Sequence, residues 1–196
     1  MKLVRGIGIT GSTHTTKGDG KMLREYTTWQ NMLHRCTKSY WDKCPHYTGV
    51  TCSENFKSYT FFYEWCNKQI GFNEKDENNK SWQLDKDILI RGNKLYSEDT
   101  CVFLPRTLNI LLVNSVAKRG KYPLGVHFSS KYKKYVSQCC NGLGGTTFLG
   151  NFDNPLSAFK AYKDYKEALI LEMVNKYKGL LDNRVYEALL QYEVRE

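Results

Sequence analysis

Apolar positions fall at helical spacing in the first part of the chain. From Arg24 the run REYTTWQNMLHRC brings Tyr26, Trp29, Met32 and Leu33 to one face, which predicts an amphipathic helix with Arg35 on another side. NFKSYTFFYEWCNKQ carries Phe56, Tyr59, Phe62, Tyr63 and Cys66 toward a core and predicts a second, aromatic helix. Between them TKSYWDKCPHYTGVTCSE is a loop punctuated by Pro45 and Gly49, and GFNEKDENNKSW is polar and turn-like. Trp82, Leu84 and the Ile88–Ile90 segment read as strands, with Arg91–Asn93 as the turn. Ser97 is placed to cap a short helix, with Glu98 and Asp99 in its first turn, and TLNILLVN reads as a further helical segment.

The pattern changes after the basic linker SVAKRGKYP. LGVHFSS, YKKYVSQCC and TTFLGNF are short strand candidates separated by turn-forming residues. A long helix then begins at Pro155, capped by Asp153 or Asn154, with a stripe of Phe159, Tyr162, Tyr165 or Lys166, Leu169 and Met173. LLDNRVYEALLQYEV predicts a short closing helix. The expected class is therefore α+β: a glycine- and threonine-rich flexible arm at 1–20, a mainly helical region at 21–117, a sheet-helix domain at 118–178, and the closing helix at 179–196.

Composition narrows the partner. The 196 residues are 41% hydrophobic and carry a formal charge of +9, enough apolar material for packed cores and a basic surface suited to phosphate backbones. No run of about 18 apolar residues is present, so no transmembrane helix is expected, and the N-terminus lacks the sustained hydrophobic stretch of a signal peptide. Seven cysteines, an odd number, point to free thiols in a reducing, cytoplasmic compartment. Cys36, Cys44, Cys52 and Cys66 contain no Cys-x-x-Cys pair; small buried hydrophobes are the expectation for them, with a zinc site using His34 or His46 as the rarer alternative.

A three-stranded sheet backed by one helix leaves one sheet face free. Alternation directs Val126, Tyr135, Cys139 and Leu149 toward the helix and His127, Ser129, Lys134, Val136, Gln138, Thr146 and Phe148 away from it. Cation, amide and hydroxyl groups on a strand laid in the major groove can meet phosphates and base edges. Lys118, Arg119, Lys121 and Lys131 would track the backbone. YPLGVHF, KYKKYVSQ and FLGNFDNPLSAFKAY resemble the DNA-binding domain of plant ethylene-response transcription factors, also found in phage homing endonucleases. The matches are Gly125-Val126, Tyr135-Val136, Leu149-Gly150, Phe152-Asp153, Ala158 and Ala161-Tyr162. The resemblance implies that the sheet reads double-stranded DNA and the helix supports it. Where plant members carry arginines on that face, this chain has His127, Ser129, Thr146 and Phe148, so the same target is not implied. An RNA-binding alternative rests on Tyr132, Lys133, Lys134 and Tyr135, which could stack single-stranded bases.

WQLDKDILIRGNKLYSEDTCVFLP resembles the HNH, or ββα-metal, nuclease finger: a strand ending in an acidic residue and a base, a turn, a second strand and a short helix. The resemblance implies Asp85 as a ligand of a single Mg²⁺ or Mn²⁺, Lys86 at the position of the usual histidine, Gly92-Asn93 in the turn, and Thr100 where the helical metal ligand sits. YTTWQNMLHRC and YTGVTC upstream look like the segment common to phage HNH proteins with this reader. Lysine is a poorer proton acceptor than histidine at neutral pH. His34, His46 or Asp87 would then have to orient the attacking water. Two functions follow: a sequence-specific, metal-dependent endonuclease or nickase of phage or mobile-element type using Asp85, Lys86, Asp87 and Asn93, or a finger without chemistry kept as a DNA-binding regulator.

Overall fold

The computed structural model describes residues 3–112 and 121–195. The fold is α+β and divides into two compact units between Leu104 and Pro105.

The first unit opens with residues that were expected to form a flexible arm and that are tied down instead. Ile9 donates to the Lys57 carbonyl at 2.8 Å, and the Tyr59 amide donates to the Ile9 carbonyl at 2.9 Å. Gly8 lies so close to Trp29 and Leu33 that a Cβ there would come within 2.4–2.5 Å of their side chains. A small hairpin, β1 (Lys17–Gly18) and β2 (Lys21–Met22), leads into α1 (Arg24–Arg35), which buries Tyr26, Trp29, Met32 and Leu33 as its spacing predicts. Next come α2 (Lys38–Trp41), a 3₁₀ turn at Pro45–Tyr47 and β3 (Thr51–Cys52).

The expected second helix is divided into α3 (Glu54–Lys57) and α4 (Tyr59–Cys66). Extended backbone at Ser58 makes the break, and its hydroxyl caps α4 by accepting from the Phe61 amide. The amide and carbonyl groups bridged to Ile9 are the ones a continuous helix would have used, so docking of the N-terminal segment decides the break. Trp65, rather than Tyr63, joins Phe56, Tyr59, Phe62 and Cys66 in the core. Those rings pack at tilted and edge-on angles, with Phe56 and Trp65 centroids 4.7 Å apart.

β4 (Gln83–Asp85) pairs antiparallel with β6 (Val102–Leu104), while β5 (Leu95–Tyr96) runs parallel to β3. The expected strand at Ile88–Ile90 is a chain of bends, and Ser97 opens a single turn instead of a helix. In that turn the Cys101 amide donates to the Ser97 carbonyl at 2.9 Å before the chain extends into β6. Val102, Phe103 and Leu104 are all buried; their burial in a paired strand outweighs the helix-favouring carboxylates ahead of them.

The second unit begins with α5 (Arg106–Leu112), part of the expected TLNILLVN segment. β7 (Val126–Ser129), β8 (Lys134–Cys140) and β9 (Thr146–Phe152) form one antiparallel sheet in that order. α6 (Pro155–Lys176) starts as expected with Asn154 accepting from the Ser157 amide and Pro155 in the first turn. Its buried stripe is Ala158, Tyr162, Lys166, Ile170 and Val174, a four-residue period that replaces the expected Leu169 and Met173. Gly125, at φ +75°, admits the Tyr162 ring where a Cβ would stand 2.0 Å from it. α7 (Asn183–Leu190), capped by Asp182, closes the unit.

Candidate functional site

Pairing settles the faces of the sheet. His127 lies opposite Val136, Ser129 opposite Lys134, Gln138 opposite Phe148, and Cys140 opposite Thr146. Directly paired residues share a face. The outward set read from the sequence is therefore one surface, with His127, Gln138, Thr146 and Phe148 exposed and Val136 covered at its centre. On the other face Cys139 and Leu149 pack with Tyr162 and Phe159, and the Tyr165 hydroxyl lies 3.1 Å from that of Thr147.

Two outward residues were missed: Cys140, opposite Thr146, and Asn151, which a change of register brings out. Register shifts between Ser137 and Gln138: Ser137 faces Gly150 while Gln138 faces Phe148, leaving Leu149 as the extra residue of a β-bulge. Strict alternation from Phe148 would send Asn151 inward. The bulge turns it outward, opposite Val136, and it is exposed. Gly150, at φ +137°, occupies the kink. Only a glycine next to Leu149 hinted at this.

Cations border the face. Lys131 and Lys133 lie exposed in the β7–β8 turn, with Lys133 in the left-handed region at φ 51°. Lys134 is tied to Asp153 by an ion pair. Lys121 is exposed beside Tyr122, whereas Lys118 and Arg119 lie outside the described residues.

The acidic loop after β4 is the second candidate. Asp85 Oδ1 accepts from the amides of Asp87 at 2.9 Å and Ile88 at 2.8 Å, which folds the chain back on itself. Burial, then the neighbouring Asp87 charge, push its carboxyl up to about 6 against the opposing pull of those amides and of Lys86. Lys86 is buried, its Nζ 3.1 Å from Asp87 Oδ2 and 5.8 Å from the centres of both the Tyr47 and Tyr96 rings.

Asn93 and Thr100 are committed to backbone. The Asn93 amide donates to the carbonyls of Lys86 and Leu95, both at 2.7 Å, and its oxygen accepts from the Leu95 amide. Thr100 donates to the Leu95 carbonyl at 3.1 Å and its hydroxyl lies 2.9 Å from that of Ser97. By type, the aspartates suit a hard divalent cation. Oδ2 of Asp85 and Oδ1 of Asp87 are the oxygens that the loop's own hydrogen bonds leave over.

Sequence reasoning also left Arg35 outside the site. Its guanidinium lies 3.4 Å from the Tyr96 hydroxyl and 6.0 Å from the Tyr47 ring, so it shares both aromatic neighbours with Lys86. The His46 ring packs at a tilt against Tyr47, centroids 4.7 Å apart, and is one ring removed from Lys86. His34 reaches Tyr47 only through Tyr40 and is two removed. Burial and the charges of Arg5, Lys43 and Arg35 lower the His34 pKa.

All seven cysteines are free. Among the described residues no three His, Cys, Asp or Glu side chains converge as a metal site. Nor is any described helix long and apolar enough to cross a membrane. No protein-family model, curated protein or solved structure matches the chain.

Proposed function

We propose that this is a sequence-specific DNA-binding protein whose β7–β8–β9 sheet lies in the major groove of duplex DNA. The observation that carries the reading is the register. Gln138, Phe148, His127 and Thr146 stand exposed on one face, backed by a helix and flanked by Lys131 and Lys133. The net charge of +9 supplies the long-range attraction that phosphate neutralisation needs. The test is fluorescence anisotropy of the whole chain with labelled duplex pools, single-stranded RNA as competitor, and stepped salt. Duplex preference and a linear fall of log K with log salt are expected. Equal or tighter binding of the RNA would overturn the reading.

A metal-dependent endonuclease or nickase activity is the second reading, favoured by the adjacent Asp85 and Asp87 carboxylates, whose charges oppose each other. Asp85 and Asp87 would hold a divalent cation, Mg²⁺ or Mn²⁺, which would relieve that repulsion and supply charge stabilisation at a phosphodiester. Lys86 and Arg35 would face the phosphate across Tyr47 and Tyr96. Asn93 and Thr100 would shape the loop. Nicking of supercoiled DNA in Mg²⁺ or Mn²⁺, with Asp85→Ala and EDTA as blanks, decides it. Duplex binding without any cutting would favour the alternative of a DNA-binding regulator.

A further inference from the structure

The outward face of the sheet contains no arginine. Lys134 is occupied by Asp153, and His127 lies on the edge strand β7, opposite Val136. Beside them stand two amides and a phenyl ring, Gln138 on the central strand β8 and Phe148 and Asn151 on the other edge strand, β9. Gln138 and Phe148 are direct cross-strand partners, which places their Cβ atoms about 5 Å apart. The bulge brings Asn151 onto the same face, and Phe148 remains 61% exposed.

Chemistry separates the bases this surface can read. Guanine presents two acceptors and is met best by an arginine or lysine donor pair. Adenine presents a donor and an acceptor that match an amide bidentately, and its thymine partner adds a methyl group beside them. A glutamine next to a phenyl ring therefore complements both members of one A·T pair. Opposite G·C the ring would meet a cytosine amino group, which it would desolvate without a hydrogen bond.

We infer that the sheet reads A·T base pairs, Gln138 and Asn151 meeting adenine edges and Phe148 the thymine methyl. The inference rests on the DNA-binding reading above and adds the base identity to it. Flanking lysines set register and affinity without altering this preference.

The test is selection of sites by the whole chain from a randomised duplex library, followed by analogues in the selected core. Uracil removes only the thymine methyl, and 7-deazaadenine only the N7 acceptor. An A·T core is expected, with 7-deazaadenine weakening binding about five- to a hundredfold and uracil about three- to fivefold. The uracil effect should vanish in Phe148→Ala and the 7-deaza effect in Gln138→Ala or Asn151→Ala. All three side chains are exposed, so unchanged thermal unfolding of the variants confirms that folding is intact. A G·C core, or insensitivity to both analogues, overturns the inference while leaving duplex binding standing. Absence of any duplex binding overturns both.

Discussion

Asp85 shows how one side chain answers several demands. Its Oδ1 holds the turn through two amides, while burial and Asp87 raise its pKa from an unfolded value near 3.9 to about 6. A carboxyl with a raised folded pKa stabilises the fold most when protonated. Its contribution is complete below about pH 4 and is lost as pH rises through about 6. Asp85→Asn keeps an accepting oxygen without the charge. Urea unfolding in EDTA should therefore show the variant gaining on the wild type between those limits, by about 2–3 kcal/mol. A difference that stays constant with pH would mean that the buried charge is not penalised. Asn93→Ala removes three hydrogen bonds from the same loop. A loss of about 2 kcal/mol is expected by denaturant unfolding, since the Lys86 carbonyl loses its donor while the Leu95 carbonyl retains the Thr100 hydroxyl. A change below about 0.5 kcal/mol would mean that water replaces the amide at little cost.

At the scale of elements, α1 was legible from its apolar period and the start of α6 from its capping residues. α1 buries the residues its spacing names, and Asn154-Pro155 begins α6. Ile88–Ile90 and Ser97 misled because local propensity there yields to partners distant in sequence. β4 pairs with β6, and β5 with β3. The join between sheet and helix depends on Gly125. With a Cβ placed 2.0 Å from Tyr162 and φ at +75°, Gly125→Ala should cost about 3 kcal/mol or more. The loss should appear as early thermal unfolding of the second unit, and an unchanged midpoint would contradict that close packing. Gly150→Ala, at φ +137° with Phe152 3.2 Å from its Cβ, should disturb the bulge that presents Asn151. Its effect should fall on sequence discrimination as well as stability, as measured by the ratio of specific to non-specific affinity.

Over the whole molecule the prediction concerns charge. The exposed Lys131 and Lys133 flank the reading face in a chain of net charge +9. If each touches one phosphate, replacing it with glutamine lowers the slope of log K against log salt by about 0.9 and weakens all sequences alike. Gln138→Ala should leave that slope unchanged and narrow the preference between sites. Identical responses from the two classes would disprove the division between backbone and base contacts. The two compact units also separate the candidate chemistry: the Asp85–Asp87 loop belongs to the first and the sheet to the second.

By itself the sequence determined the α+β class, the starts of α1 and α6, the strands of the second unit and most of its outward face. Periodicity and capping are local, and each residue carries its own part of them. It also gathered Asp85, Lys86 and Asp87, which are chain neighbours. Only tertiary structure decided the rest. It docked the N-terminal segment against Trp29, split a helix at Ser58 and committed Asn93 and Thr100 to backbone. It also brought Arg35 and His46 toward Lys86 through Tyr47 and turned Asn151 outward by a one-residue bulge. The docking of the N-terminal segment and the break at Ser58 depend on which distant backbone groups satisfy one another, and no short window of the chain contains both partners.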